Sequence, residues 1–132
     1  MLTIPTYLAT SSIHGVGLFT AVDISAGQLV WYFNDLFDRF MTDEQFAQLP
    51  SHIQRYIEIH GFKDVNSNIW ILDGGNDLHV NHSDDPNVIE DGELVGCITK
   101  NLYASRDISA GEELTQNYLE FCQVAKLKLD TP

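Results

Sequence analysis

The stretch Asn81-His82-Ser83-Asp84-Asp85-Pro86-Asn87 decides how this chain is read. It lies between two apolar runs, Asn68-Ile69-Trp70-Ile71-Leu72 and Leu94-Val95-Gly96-Cys97-Ile98-Thr99, each of which has the length and residue types of a strand. Proline and the Asx residues predict a tightly turned loop. Polar side chains packed so densely cost folding free energy unless they find partners. Asn and His can both donate and accept. The loop therefore either bonds to itself or serves a ligand, and its surroundings must choose.

Downstream, Ala110-Gly111-Glu112-Glu113-Leu114-Thr115-Gln116-Asn117-Tyr118 reads as a strand leaving a turn and ending on an aromatic. A tyrosine there is a packed ring or a functional hydroxyl. Upstream, His14-Gly15-Val16-Gly17-Leu18-Phe19 places two glycines around one residue, so the backbone can approach a ligand closely. It is not a dinucleotide fingerprint, because the third glycine is missing and no helix follows.

The two outer segments share an echo. Leu18-Phe19-Thr20-Ala21-Val22-Asp23-Ile24-Ser25-Ala26-Gly27 matches Leu102-Tyr103-Ala104-Ser105-Arg106-Asp107-Ile108-Ser109-Ala110-Gly111 closely enough to predict two similar β-hairpins, each turning at its glycine. Between them, Thr42-Asp43-Glu44-Gln45 is a capping box, and Ser51-His52-Ile53-Gln54 repeats the pattern after Pro50. Two short helices are expected, over about 42–49 and 51–60, stopped by Gly61. Helix is expected to be confined to this region, although residues 119–129 fit a short helix or a strand. Many short strands and little helix make a β-dominated α+β fold.

With 132 residues, and no linker or low-complexity stretch, a single domain over 1–132 is expected. No apolar run approaches the length of a membrane span, and the N-terminus lacks a secretory pattern. Cys97 and Cys122 are too few for a disulfide scaffold or a cysteine zinc site; two reduced, half-buried thiols in an intracellular protein are expected. The net charge of -12 argues against direct contact with nucleic acid or anionic membranes, and favours basic partners.

Taken together, Gly15-Val16-Gly17-Leu18-Phe19, Asn81-His82-Ser83-Asp84-Asp85-Pro86-Asn87 and Gly111-Glu112-Glu113-Leu114-Thr115-Gln116-Asn117-Tyr118 resemble, in order and separation, the three signature segments of the SET domain. The likeness covers about 11–121, and the flanking Asp73-Gly74-Gly75-Asn76 agrees with it. With Gly27-Gln28-Leu29-Val30-Trp31-Tyr32-Phe33, the chain is most similar to the short free-standing SET proteins of bacteria. The resemblance implies small sheets in a β-clip-like arrangement, with a C-terminal segment threaded under a preceding loop. It implies an S-adenosylmethionine-dependent protein-lysine methyltransferase acting on a basic protein or peptide. Gly15, Val16, Gly17, Asn81 and His82 would hold the cofactor, Tyr118 would stand at the reaction centre, and no metal would be needed. Phe121 could supply an aromatic cover for adenine.

The chain departs from the family pattern in places. Leu78 and His79 stand where Arg and Phe are usual, Asp84 where Cys is frequent in eukaryotic relatives, Gln116 where Phe or Tyr is frequent, and Asn117 where Asp is. Two other readings stay open. One is a SET-like domain that binds cofactor or peptide without transfer. The other is a metal-binding protein using His79 and His82 with Asp73, Asp77, Asp84 or Asp85.

Overall fold

The computed structural model describes residues 1–130. Its strands are β1 (Thr6–Thr10), β2 (Val16–Thr20), β3 (Leu29–Trp31), β4 (Arg39–Met41), β5 (Phe62–Lys63), β6 (Trp70–Leu72), β7 (Asn81–His82), β8 (Val88–Val95), β9 (Thr99–Ala104) and β10 (Thr115–Gln116). Its helices are α1 (Asp43–Ala47), α2 (Ser51–His60), α3 (Tyr118–Phe121) and α4 (Ala125–Leu129), with a 3-10 turn over Asn76–His79. The strands form four small sheets: β1-β2, β3-β9-β8, β4-β6-β5 and the parallel pair β10-β7. Among the described residues no helix is long and apolar enough to cross a membrane.

The two echoed segments are not hairpins. β2 pairs with β1, and β3 pairs with β9, so neither copy folds back on itself. The copies clasp each other about a pseudo-two-fold axis instead. Ile24 and Ile108 exchange both backbone hydrogen bonds, at 2.8 Å each. The Ala26 N–H donates to Asp107 Oδ1 at 2.8 Å, and the Ala110 N–H donates to Asp23 Oδ1 at 2.9 Å. Gly27 N–H reaches the Ala104 carbonyl, while Gly111 N–H reaches that of Thr20. Both glycines turn at positive φ, +81° and +91°, where a side chain would be strained. Leu18, Ile24, Ala104 and Ile108 of the two copies meet Val30, Val88 and Leu114 in the main core.

The capping box at α1 forms as read: Gln45 N–H donates to Thr42 Oγ1, and Thr42 N–H donates to Gln45 Oε1. The second one does not. Pro50 occupies the cap position, Ser51 is already helical, and Gln54 donates to the Leu49 carbonyl at 2.8 Å. Helix also occurs beyond 42–60, as α3 (Tyr118–Phe121) and α4 (Ala125–Leu129). Cys122, Phe121 and Ala125 turn inward there against Phe62 and Tyr118, a spacing a strand could not present on one face. The strand expected over 94–99 is broken by a turn at Gly96 and Cys97. Both have positive φ, +61° and +59°, as a tight β8-β9 hairpin needs. Cys97 is consequently exposed and Cys122 buried, so neither is the half-buried thiol expected.

The C-terminal segment is threaded. β10 lies beside β7 in parallel register, Thr115 opposite Asn81 and Gln116 opposite His82. Its other edge is held by Asn87, which is 3% exposed. Asn87 Oδ1 accepts from the Thr115 N–H at 2.8 Å, and Nδ2 donates to the Glu113 carbonyl at 2.8 Å. The 81–87 loop is thus a bracket whose two ends grip one strand. Asn87→Ala would strand a buried N–H and a part-buried carbonyl, so it should lower unfolding free energy by about 1–3 kcal/mol in urea titration. A loss below about 0.5 kcal/mol would mean that the bracket is not what holds β10.

Candidate active site

The glycine-containing loop is shaped from inside the protein. Ser11 N–H donates to the Gly15 carbonyl, and Ser11 Oγ accepts from the N–H groups of Ile13 and His14. Gly15 closes this turn at φ +48°, with open space on its Cβ side. Ser11 Oγ also reaches both oxygens of Glu113, at 2.8 and 2.9 Å. Asn81, 7% exposed, sends Nδ2 to Glu113 Oε1 at 2.9 Å, to the His14 carbonyl at 2.9 Å and to the Val16 carbonyl at 3.4 Å. Gly17 makes room for this pair, because a Cβ there would lie 2.1 Å from Glu113 Oε1. Gly15, Val16, Gly17 and Asn81 are therefore brought together. Their organiser is Glu113, to which the sequence reading gave no role.

His82 joins through Tyr118. His82 Nδ1 accepts from the Tyr118 N–H at 3.1 Å, and Nε2 lies 3.0 Å from Asp84 Oδ1. A neutral His82 must then carry its proton on Nε2. The two rings sit 5.3 Å apart. The Tyr118 hydroxyl donates to the Val80 carbonyl, the residue just before Asn81. Burial, with smaller contributions from Cys122 and Glu113, pushes the phenol up to about 12. Tyr118 is therefore a neutral hydroxyl at physiological pH and cannot serve as a tyrosinate base.

On the inner side of Val80 and Tyr118 lies a cavity of about 60 Å³. Val80, Gln116, Tyr118, Phe121, Glu90 and Lys128 line it, whereas Gly15, Val16, Gly17, Asn81 and His82 do not. Val80 and Tyr118 thus belong both to the surroundings of the glycine loop and to the lining of a partly open cavity of mixed polarity. Phe121 is packed edge-on against Phe62 and Tyr118, at 5.1 and 6.1 Å, and is only 6% exposed. It is a wall of this core, not an open platform for an adenine ring.

Carboxyl groups close another part of the cavity. Trp31 Nε1 donates to Asp77 Oδ2 at 2.6 Å, while Asp73 Oδ1 and Asp77 Oδ1 are enclosed without a partner. Burial, then the neighbouring Asp77 and Asp38, push the Asp73 carboxyl well up; burial also raises Asp77. Asp38 is already matched by the Met1 ammonium at 2.7 Å. The mixed metal set suggested by sequence is not assembled. His79 lies against His60, with ring centres 6.2 Å apart, and His82 is committed to Tyr118 and Asp84. The carboxylates that do converge are Asp38, Asp73 and Asp77, without a histidine.

The SET domain model matches residues 15–119, most of the chain, including Gly15, Val16, Gly17, Asn81, His82, Glu113 and Tyr118. The chain belongs to the SET-domain family. No curated protein matches it. Among solved structures it is similar to a Plasmodium falciparum protein provisionally named a histone methyltransferase, at 20% identity and TM-score 0.60, covering 89% of this chain and 95% of that one. It is also similar to Chaetomium thermophilum Polycomb Repressive Complex 2 bound to the inhibitor GSK126 (23% identity, TM-score 0.66, 96% of this chain). The same complex in an autoinhibited conformation bound to S-adenosylmethionine gives 22% identity and TM-score 0.65 over 96% of this chain. This chain spans 17% of the length of those two chains.

The departures from the SET pattern now have places. Leu78 and His79 end the 3-10 turn, where Leu78 lines the cavity and His79 lies against His60. Gln116 is 8% exposed and faces the cavity, where a larger ring would fill the space. Asn117 caps α3, its side chain accepting from the Leu119 N–H at 3.1 Å.

Glu90 supplies a pH test of the cavity. Burial foremost, and then Asp64, push its carboxyl up to about 7, with Lys100 opposing. The folded state therefore holds a proton that the unfolded chain has released, and stability falls as pH rises from about 4.5 to 7. Glu90→Gln cannot titrate. The melting temperature of the variant minus that of the parent should grow across this window and level off above it. A difference independent of pH would place Glu90 in contact with water.

Proposed function

We propose that this SET domain transfers a methyl group from S-adenosylmethionine to the side-chain amine of a lysine in a basic protein or peptide. The observation that carries the reading is the pair Tyr118 hydroxyl and Val80 carbonyl, shared by the surroundings of the glycine loop and the lining of the inner cavity. SET methyltransferases use S-adenosylmethionine, which when bound would supply a methyl group on a cationic sulfur. The residues fit that group. The Gly15 backbone has open space beside it, Val16 is 48% exposed, and Asn81 fixes the carbonyls of this loop from beneath.

The remaining chemistry falls to the chain's own groups. Two oxygens, on Tyr118 and Val80, can meet a polarised methyl group through weak C–H···O contacts. A neutral phenol can orient an amine without taking its proton. The cavity would receive the lysine stem along its apolar wall and strip water from its head, so that alignment and desolvation lower the barrier. His82 acts one step back, holding the Tyr118 backbone. The charge of -12 favours encounter with basic segments, an attraction that salt screens.

Tyr118→Phe keeps the ring and removes the hydroxyl. Calorimetry should find S-adenosylmethionine binding close to that of the parent. Labelled methyl transfer to a panel of basic proteins should drop by about 100-fold or more. Transfer at the parent rate would make Tyr118 a core aromatic. Cofactor uptake by the parent without transfer to any lysine would favour a binding module instead.

A further inference from the structure

The inner cavity already contains a lysine. Lys128 projects from α4 into the cavity that Tyr118 and Gln116 also line. Its Nζ donates to the Ile59 carbonyl at the end of α2, at 2.7 Å, and stands 5.6 Å from the centre of the Tyr118 ring. The bond to Ile59 also satisfies a carbonyl in the last turn of α2. Lys126, two residues earlier, is exposed, as a helix with one inward face would have it. A lysine usually snorkels to water. Lys128 instead places its head against an aromatic face, and burial pushes its ammonium below the ordinary range, opposed by Cys122 and Asp73.

We propose that Lys128 is a methyl acceptor in cis: the chain presents its own C-terminal lysine to its own Tyr118. This rests on the functional reading above and adds its first substrate. The reaction balances without another reagent. Nζ first gives a proton to solvent, and its lone pair then forms the new N–C bond. The carbon–sulfur bond of S-adenosylmethionine breaks with its electron pair kept on sulfur, leaving the neutral thioether and a methylated ammonium. Burial favours the first step, because a desolvated ammonium releases its proton more readily than an exposed one. Ile59 holds the head near the ring, and transfer requires Nζ to leave that carbonyl and turn on its four-carbon stem toward the Val80 and Tyr118 oxygens.

Two measurements on the intact chain test this. With labelled S-adenosylmethionine and no other protein, peptide mass mapping should place the methyl on Lys128 and not on Lys63, Lys100 or Lys126. The fraction labelled per unit time should not change with protein concentration. Lys128→Ala should abolish that label. In Tyr118→Phe, which keeps the ring beside Lys128, the label on Lys128 should fall by about 100-fold or more, as it should for an added protein. Unchanged labelling of Lys128 in Tyr118→Phe overturns the proposal. So does methylation of an added basic protein while Lys128 stays unmodified, which leaves the function standing. If no lysine of any protein gains a methyl, and calorimetry finds no cofactor uptake, the function fails and this proposal with it.

Discussion

The carboxylate of Glu113 is the constraint on which the site depends. It receives Ser11 and Asn81 and lies where a side chain at position 17 would otherwise stand. Through Ser11 it sets the turn at Gly15, and through Asn81 it is tied to the carbonyls of His14 and Val16. Its own backbone carbonyl takes Asn87, so the same residue is bound to both ends of the 81–87 bracket. A charged acceptor with several donors is stronger than neutral pairs and more costly to leave unmatched. The loop, the bracket and the threaded strand are therefore specified together, and Tyr118 follows from them two residues past β10.

The two clasped Asp-Ile-Ser-Ala-Gly turns provide the frame for this arrangement. They bring β2 and the approach to β10 side by side, and their isoleucines fill the main core. In a chain of 132 residues made of two- to eight-residue strands, no sheet is large enough to stand alone. Reciprocal pairing of loops does what a larger sheet would do elsewhere.

Much of this was legible in the sequence, for identifiable reasons. Strands, the α1 capping box and the three signature segments are local patterns, and Gly15, Val16, Gly17, Asn81, His82 and Tyr118 do converge. Glu113 stood in plain view within Gly111-Glu112-Glu113-Leu114, yet nothing local distinguishes it from Glu112, which points to its own turn. Its meaning comes from Ser11, at the far end of the chain. The echo was visible, but its pairing was not, because a hairpin and a reciprocal clasp share the same turn residues. Ser51-His52-Ile53-Gln54 misled because Pro50 took the cap. Residues 118–129 are mostly apolar, and Leu127-Lys128-Leu129 alternates as a strand would while Phe121, Cys122 and Ala125 fit a helix, so no single period emerges and the inward direction of Lys128 could not be read.

The most direct test is calorimetric titration of S-adenosylmethionine into the metal-free parent and into Asn81→Ala. The parent should bind, and the variant, with its loop carbonyls released, should bind at least about tenfold more weakly while melting as a folded protein. Absence of binding by the parent at millimolar ligand, or equal binding by the variant, would contradict the account of a cofactor loop shaped by Glu113 and Asn81.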